Sequence, residues 1–191
     1  MSPVRSFFAL ALPEDARRRL GELQRGLPSA EMRLEDPARM HLTLRFLGEC
    51  HAALLDRLVD ELSGRPFPSF SFRLRGTGAF PDLRRPRVIW AGVEPSDALL
   101  RLQEELEILC RQNGLKAETR EFIPHVTLGR SDGSSGDDLY RWFARHREWE
   151  GGSVTVDGYG LYESTLEGGE RKHRVRSRLP LTGGEGRRQG E

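Results

Sequence analysis

A His-x-Thr tripeptide occurs twice in the chain, at residues 41–43 and again at residues 125–127. Each copy begins a segment in which apolar and polar residues alternate, which is typical of a half-buried β-strand. Side chains two positions apart on a strand point to the same face. His41 therefore shares a face with Thr43, and His125 shares one with Thr127. The pattern predicts two similar strands that each present one imidazole and one hydroxyl to a common cleft.

Two imidazoles and two hydroxyls in one cleft suit acid–base chemistry at a phosphodiester. Near neutral pH one imidazole can be protonated and the other free, so one serves as general acid and the other as general base. The threonine hydroxyls can donate hydrogen bonds to oxygens that gain charge in the transition state. No Asp or Glu lies inside either motif, and no His-x-x-x-His or Cys-x-x-Cys pair occurs. The prediction is therefore a site without metal or cofactor.

The composition is that of a soluble globular protein with no strong overall charge. The 191 residues are 37% hydrophobic and 31% charged, with a formal net charge of +1. A charge this small gives no general attraction to long nucleic acids, so such a substrate would be held locally, at an end or at one phosphate. We predict one domain over residues 1–182, followed by a disordered tail over 183–191 that contains no apolar residue.

The cysteines and the apolar segments indicate where the protein resides. Cys50 and Cys110 are too few for a disulfide framework and are predicted to be reduced, partly buried thiols. No segment approaches the ~18 apolar residues that a membrane span needs. The apolar run at residues 7–12 has no cleavage site after it and is interpreted as a strand. We predict a cytoplasmic protein with no membrane partner.

The order of the predicted elements repeats once along the chain. Each half consists of a strand, a helix, a His-x-Thr strand, a helix and a further strand. The predicted strands lie at 4–12, 32–34, 41–48, 70–75, 87–93, 125–130, 153–163 and 172–181, and residues 76–86 are predicted to form a loop. Two such α+β halves, with their sheets facing across a groove, would bring the two histidines together.

Five stretches of the sequence resemble one known family. They are FFALALP at residues 7–13, HLTLRFLGE at 41–49, PRVIWAGV at 86–93, FIPHVTLGR at 122–130 and LYES at 161–164. In this order they resemble the two-histidine (2H) phosphoesterases. More closely they resemble the bacterial and archaeal RNA 2′,3′-cyclic phosphodiesterases, formerly named 2′-5′ RNA ligases.

The resemblance implies a fold and a reaction. The fold is α+β and bilobal: two pseudo-symmetric lobes have antiparallel sheets that line a central groove, with the helices outside. The reaction is metal-independent hydrolysis of the 2′,3′-cyclic phosphate at an RNA 3′ end to a 2′-phosphomonoester. His41 is then the general acid and His125 the general base, while Thr43 and Thr127 hold the non-bridging oxygens. Ligation to a 2′-5′ linkage is expected as a side activity, and the protein is expected to be a monomer.

Two arginines next to the motifs raise a question of orientation. Arg130 matches an arginine that follows the second motif in this family, where it can approach the phosphate. Strict alternation would direct Arg130 to the core, and a twist or bulge at Gly129 would reconcile the two placements. A surface ion pair is the alternative role for Arg130. Alternation puts Arg45 on the face of His41, either touching substrate or solvated at the rim, and puts Phe46 on the core face.

The remaining aromatic residues and histidines are assigned mainly to the core and the surface. Phe7 or Phe8 could form a base-stacking wall, although core packing is the expected role. Trp90 is expected in the core, and the histidines outside the motifs, at positions 51, 146 and 173, are expected on the surface.

Two alternatives to the main functional hypothesis remain open. The substrate could be another cyclic phosphate or a 2′-5′ oligonucleotide, because four catalytic residues do not specify the rest of the ligand. The chain could also be an RNA-end or nucleotide-binding module without turnover.

Overall fold

The structure, a computed structural model, describes residues 2–28, 32–133, 136–168 and 170–183. The described residues form an α+β fold, as predicted. Most of the tail that was predicted to be disordered, residues 184–191, lies outside the described residues. In chain order the elements are β1 (Val4–Ala11), α1 (Glu14–Gln24), β2 (Met32–Leu34), a 3-10 turn (Pro37–Arg39), β3 (His41–Cys50), α2 (Ala52–Ser63), β4 (Phe70–Phe80), β5 (Val88–Glu94), α3 (Asp97–Gln112), β6 (His125–Ser131), α4 (Asp137–His146), β7 (Glu150–Val156), β8 (Gly158–Glu167) and β9 (Glu170–Pro180).

The strands form one antiparallel sheet in which the two His-x-Thr strands are central neighbours. The strand order is β7-β4-β5-β6-β3-β1-β8-β9, and β2 lies off this path and pairs with β6 on the edge opposite to β5. The two halves of the sheet meet where β3 pairs with β6, at Leu42 and Val126. This junction brings the two motifs, far apart in sequence, onto adjacent strands.

The helices link the two halves of the sheet. Helix α1 follows β1 but packs against β6 and β7 in the other half, whereas α3 follows β5 and packs against β3. Helix α2 contacts β9, and α4 contacts β4. The buried apolar side chains of both halves form one continuous cluster. The single domain over residues 1–182 stays a prediction. Each half of the sheet is covered in part by a helix that follows a strand of the other half.

Helix α3 begins and ends where its sequence requires. The Ser96 hydroxyl accepts a hydrogen bond from the Leu99 amide at 3.3 Å, which caps the first turn. Asp97 adds negative charge at the positive end of the helix dipole. Gly114 follows the last turn with a φ of 83°, a conformation that glycine adopts without strain. The helix therefore presents its leucines to β3 along a defined length.

Two predicted boundaries are wrong because strands change direction or partner there. Strand β4 continues to Phe80 through residues predicted to be a loop, because Gly76, with a φ of 73°, and a register shift between Leu74 and Thr77 let the chain bend. The predicted strand over 153–163 is two strands. Strand β7 pairs with β4, whereas β8 pairs with β1 in the other half of the sheet. Period-2 alternation reports burial and does not report which strand is the partner.

Candidate active site

The pairing of β3 with β6 places the four motif side chains next to one another. Leu42 and Val126 are partners in an antiparallel register and both are fully buried. The residues on either side of such a pair lie opposite each other, so His41 lies across from Thr127, and Thr43 lies across from His125. All four are half-buried on the opposite face of the sheet from the core. We call this the histidine face.

Both imidazoles are oriented by the same backbone hydrogen bond. His41 Nδ1 lies 2.8 Å from the Arg39 carbonyl oxygen, and His125 Nδ1 lies 2.7 Å from the Ile123 carbonyl oxygen. A carbonyl oxygen only accepts, so Nδ1 carries the proton in each ring. This leaves Nε2 of each histidine for proton transfer, as an acceptor when the ring is neutral and a donor when it is charged.

The chain next to each orienting carbonyl group is held by further hydrogen bonds. The Asp36 carboxylate accepts a hydrogen bond from the Ala38 amide at 2.9 Å and caps the 3-10 turn that ends at Arg39. Arg17 of α1 donates to the Ala38 carbonyl at 2.9 Å. Before the second motif, the Val93 amide donates to the Pro124 carbonyl at 3.1 Å. Each histidine is therefore held by a constrained turn and not by a free loop.

His41 lies against aromatic faces. Its ring is nearly parallel to that of Phe7, with a centroid distance of 5.2 Å and an interplanar angle of 28°. The Tyr162 ring is also nearly parallel to it, at 6.1 Å and 17°. An aromatic face within about 6 Å attracts a cation. The Phe7 face therefore favours the protonated form of His41 and opposes the effect of burial, which lowers the pKa of this ring.

His125 meets its aromatic neighbours at steeper angles. The Phe80 ring lies at 4.9 Å and 79° to it, and the Trp90 ring at 6.1 Å and 50°. Neither ring lies parallel to the imidazole as Phe7 does to His41. The two motif histidines thus have the same backbone contact but different ring environments.

Burial and nearby positive charge lower the pKa of both histidines. For His41, burial lowers the pKa most, the Arg39 carbonyl opposes this, and Arg130 lowers it further. For His125, burial is again the main cause, the Ile123 carbonyl opposes it, and the charges of Arg130 and His41 both lower the pKa. The two rings therefore titrate as an interacting pair, and a proton on His41 favours a neutral His125.

A bulge turns Arg130 onto the histidine face. In β6 an extra residue, Leu128, lies between the pairs that Thr127 and Gly129 make with β5. Leu128 and Gly129 are therefore both buried, and Arg130 is exposed on the same side as Thr127. Of the twist or bulge that would reconcile the two placements, the structure has a bulge. A side chain at position 129 would come within 3.3 Å of the Arg33 carbonyl oxygen, which explains the glycine.

A second bulge makes both expectations for Arg45 wrong. Thr43 pairs with Ala9 and Arg45 pairs with Phe8, so Leu44 is the extra residue on β3. Arg45 consequently points into the protein, where its side chain is 7% exposed and forms an ion pair with Glu107 of α3. It neither faces the motif residues nor lies in solvent.

The same bulge makes the core assignment of Phe46 wrong. Phe46 is 45% exposed and lies on the histidine face, with its ring centroid 5.9 Å from that of Phe7. Phe8 is fully buried in the core, as expected. Phe7 is 2% exposed, but it lies beneath His41 and not in the core cluster. Phe7 and Phe46 therefore form an aromatic floor on the histidine face.

Two further residues near the histidines differ from their sequence assignments. Trp90, expected in the core, is half-buried next to His125. His173, expected on the surface, is half-buried with its ring centroid 5.5 Å from that of His41. Sequence reasoning also missed Tyr162 and Phe80 as neighbours of the motif histidines. Strand register would have located them, but register is not contained in the local pattern.

The sequence also led to predictions about the two cysteines, a metal site and a membrane span. Cys50 and Cys110 are free and buried, and burial raises the pKa of Cys110 to about 12. In the described ranges, no three His, Cys, Asp or Glu side chains are grouped so that they could hold a metal ion. None of the helices in these ranges has the length and apolar character of a membrane span.

Comparison with known proteins gives one consistent family. The family model described as LigT like Phosphoesterase matches residues 10–90 and 92–170. A Thermotoga maritima protein named RNA 2′,3′-cyclic phosphodiesterase is 34% identical over 170 residues, which cover 85% of this chain and 88% of the relative. A Thermus thermophilus protein of the same name is 32% identical over 200 residues, covering 98% and 96%.

The fold agrees with solved structures of the same group. The crystal structure of Escherichia coli LigT complexed with 3′-AMP matches with a TM-score of 0.77 and 30% identity, over 94% of this chain and 99% of that chain. A Thermus thermophilus structure matches with a TM-score of 0.81 and 30% identity, over 94% and 98%. The chain belongs to the family of LigT-like phosphoesterases.

Proposed function

We propose that this protein hydrolyses the 2′,3′-cyclic phosphate at the 3′ end of RNA to a 2′-phosphomonoester. The observation that carries the proposal is the arrangement of His41 and His125 on adjacent strands, each with Nδ1 bound to a carbonyl and Nε2 left for proton transfer. Membership of the LigT-like family and the names of its relatives support a phosphodiesterase of this class. The monomeric state and the cytoplasmic location stay predictions from the sequence.

The reaction needs two proton transfers and one displacement at phosphorus. His125 Nε2 accepts a proton from water as the water oxygen attacks the phosphorus atom in line with the bond to O3′. As that bond breaks, the O3′ atom takes the electron pair and receives the proton from His41 Nε2. The products are a free 3′-hydroxyl and a 2′-phosphate. Solvent then returns a proton to His41 and removes one from His125.

The surrounding residues assist this displacement. Thr43 and Thr127, on the histidine face, are placed to donate hydrogen bonds to the non-bridging oxygens. Arg130 supplies a positive charge that offsets the negative charge of the phosphate. A 5′-hydroxyl in place of water would give a 2′-5′ linkage through the same transfers, which is the side activity that we propose.

The difference between the two ring environments supports the assignment of acid and base. The nearly parallel Phe7 face attracts a charged His41 and opposes the burial that lowers its pKa, whereas the rings next to His125 meet it at steeper angles. The charge on His41 in turn lowers the pKa of His125, which must be neutral to accept a proton. The roles would be harder to separate if both rings had the same neighbours.

The aromatic floor offers a place for the nucleobase. Phe46, Phe7, Tyr162 and Val175 form one row across β3, β1, β8 and β9, since each is the register partner of the next. Phe46 is the most exposed aromatic ring of this row. Bases stack on aromatic faces with little sequence preference, so we propose that the terminal base lies against Phe46.

The proposal is tested by incubating the protein with a 2′,3′-cyclic mononucleotide in the presence of EDTA. We expect turnover to the 2′-phosphate alone, identified by chromatography against the 2′ and 3′ isomers. Activity that appears only after a divalent metal is added would contradict the mechanism. Binding without turnover would favour the nucleotide-binding alternative, and turnover of 2′-5′ oligonucleotides alone would favour a different substrate.

The pH dependence of the reaction follows from the two lowered pKa values. The rate rises as His125 loses its proton and falls as His41 loses its proton, so kcat/KM is bell-shaped. Because burial lowers both pKa values, we expect the maximum of kcat/KM on the acid side of about pH 6.5, the ordinary pKa of histidine. Bound phosphate favours the protonated rings, so the kcat maximum should lie at higher pH. A profile without an alkaline limb would contradict the acid role of His41.

A further inference from the structure

A third histidine packs against the motif histidine of the first half. His173 lies on β9, where its register partner is Ser164 of β8, and Ser164 in turn pairs with Arg5 of β1. The His173 ring centroid lies 5.5 Å from that of His41 and 5.0 Å from that of Phe7. The His173 ring stands at 83° to both. The His173 ring is therefore nearly perpendicular to the stacked rings of His41 and Phe7 and meets both in an edge-to-face contact.

We propose that His173 is a positioning residue that fixes the His41 ring through edge-to-face packing. The proposal rests on the proposed function, because it assigns to His173 the support of the general acid. Among the described residues, His41 is held by the hydrogen bond from Nδ1 to the Arg39 carbonyl and by the nearly parallel Phe7 ring, with Tyr162 farther away. A ring held by one hydrogen bond and one face can still tilt about that hydrogen bond. A perpendicular ring against the stack opposes this tilt and keeps water from the imidazole.

The cations around His41 bear on how His173 can act on it. Arg5 lies in the same row of the sheet through Ser164, and Arg130 acts on His41 from β6. Tyr162 occupies the neighbouring row, and burial raises its pKa, so it stays uncharged. A second cation beside a protonated His41 would oppose the proton that the general acid must hold. The proposed effect on His41 therefore belongs to the shape of the His173 ring.

Three variants separate the shape of the ring from its charge. His173→Ala removes the ring, His173→Phe keeps an aromatic ring that cannot be charged, and His51→Ala removes an exposed histidine elsewhere. For each variant we measure kcat, KM and the pH titration of the His41 Cε1 proton by NMR in the free protein. Thermal unfolding followed by circular dichroism verifies that each variant is folded.

We expect His173→Ala to lower kcat roughly tenfold while KM changes less than about twofold, because misplacement of the acid affects the chemical step. The titration of His41 should move to higher pH in this variant, since burial is the main cause of its lowered pKa. His173→Phe should keep both values close to those of the wild type, and His51→Ala should change neither.

Two outcomes for the His173 variants would overturn the proposal. A folded His173→Ala variant with an unchanged His41 titration and kcat would overturn it, as would a His173→Phe variant that behaves like His173→Ala. The titration needs no turnover and so tests the contact independently of the reaction. If the wild type failed to hydrolyse the cyclic nucleotide but the titration moved in His173→Ala, the proposed function would fail while the contact with His41 stood.

Discussion

Replacing either His41 or His125 with alanine is expected to lower kcat for cyclic phosphate hydrolysis by a factor of about 10²–10⁴, the usual contribution of a general acid or base. The fold should be retained, because both side chains are half-buried on the histidine face and outside the apolar cluster. The two rings act on one phosphorus atom in one step. The double variant should therefore be little worse than the poorer single variant. Steady-state kinetics with a 2′,3′-cyclic mononucleotide measure these effects.

The pH profile of each variant identifies which role was lost. Without His41 the alkaline limb of kcat/KM should disappear, because that limb records loss of the proton from the acid. Without His125 the acid limb should disappear, because that limb records protonation of the base. His146→Ala is the matched control: its Nδ1 also lies near a carbonyl oxygen, that of Trp142, at 2.8 Å, but on α4. A single variant at His41 or His125 with near wild-type kcat would remove that residue from the mechanism.

The sequence predicted the positions of the two motifs because their signal is local. Alternation over a few residues fixes which side chains share a face of a strand, so His41 with Thr43, and His125 with Thr127, could be placed without a structure. The family resemblance then implied that the two strands meet. Alternation carries no information on partners, which is why β7 and β8 were predicted as one strand although they lie in opposite halves of the sheet.

The side chains next to the motifs were harder to predict because both motif strands contain bulges. An extra residue reverses every later side chain on a strand, so Arg45 and Phe46 exchange their expected faces. For Arg130 the family resemblance required the histidine face and strict alternation required the core, and this conflict indicated a twist or a bulge at Gly129. No such conflict was visible for Arg45. A buried arginine is intelligible only once Glu107 of α3 is seen beside it.

The ring neighbours of the histidines depend on register over four strands. His173 reaches His41 because β9 pairs with β8, β8 with β1, and β1 with β3. Its own segment, Arg-Lys-His-Arg-Val-Arg, is dominated by charge and is typical of an exposed edge strand. The polar surroundings in sequence therefore pointed to the surface, whereas the surroundings in space are aromatic.

The ion pair between Arg45 and Glu107 is the second feature whose loss should have a large effect. The side chains are 7% and 18% exposed. Arg45 also donates hydrogen bonds to the carbonyls of Phe46 and Lys116. Glu107→Gln leaves the buried guanidinium without its counter-charge. We expect this variant to lower the free energy of unfolding by about 3–5 kcal/mol, measured by urea denaturation. The matched control, Glu22→Gln, breaks an exposed pair with Arg18 and should cost less than about 1 kcal/mol.

The double variant Arg45→Met with Glu107→Leu distinguishes a counter-charge effect from loss of packing. Replacing both members of a buried pair with apolar residues removes the unpaired charge, so the double variant should be more stable than Glu107→Gln alone. It also removes the hydrogen bonds that hold Arg45 inside, and with them a constraint on the bulge that turns Phe46 outward. The double variant should therefore be more stable than Glu107→Gln and yet have a higher KM than the wild type, because Phe46 is the proposed contact of the base. A double variant less stable than Glu107→Gln would mean that Arg45 and Glu107 stabilise the β3–α3 contact mainly by filling space.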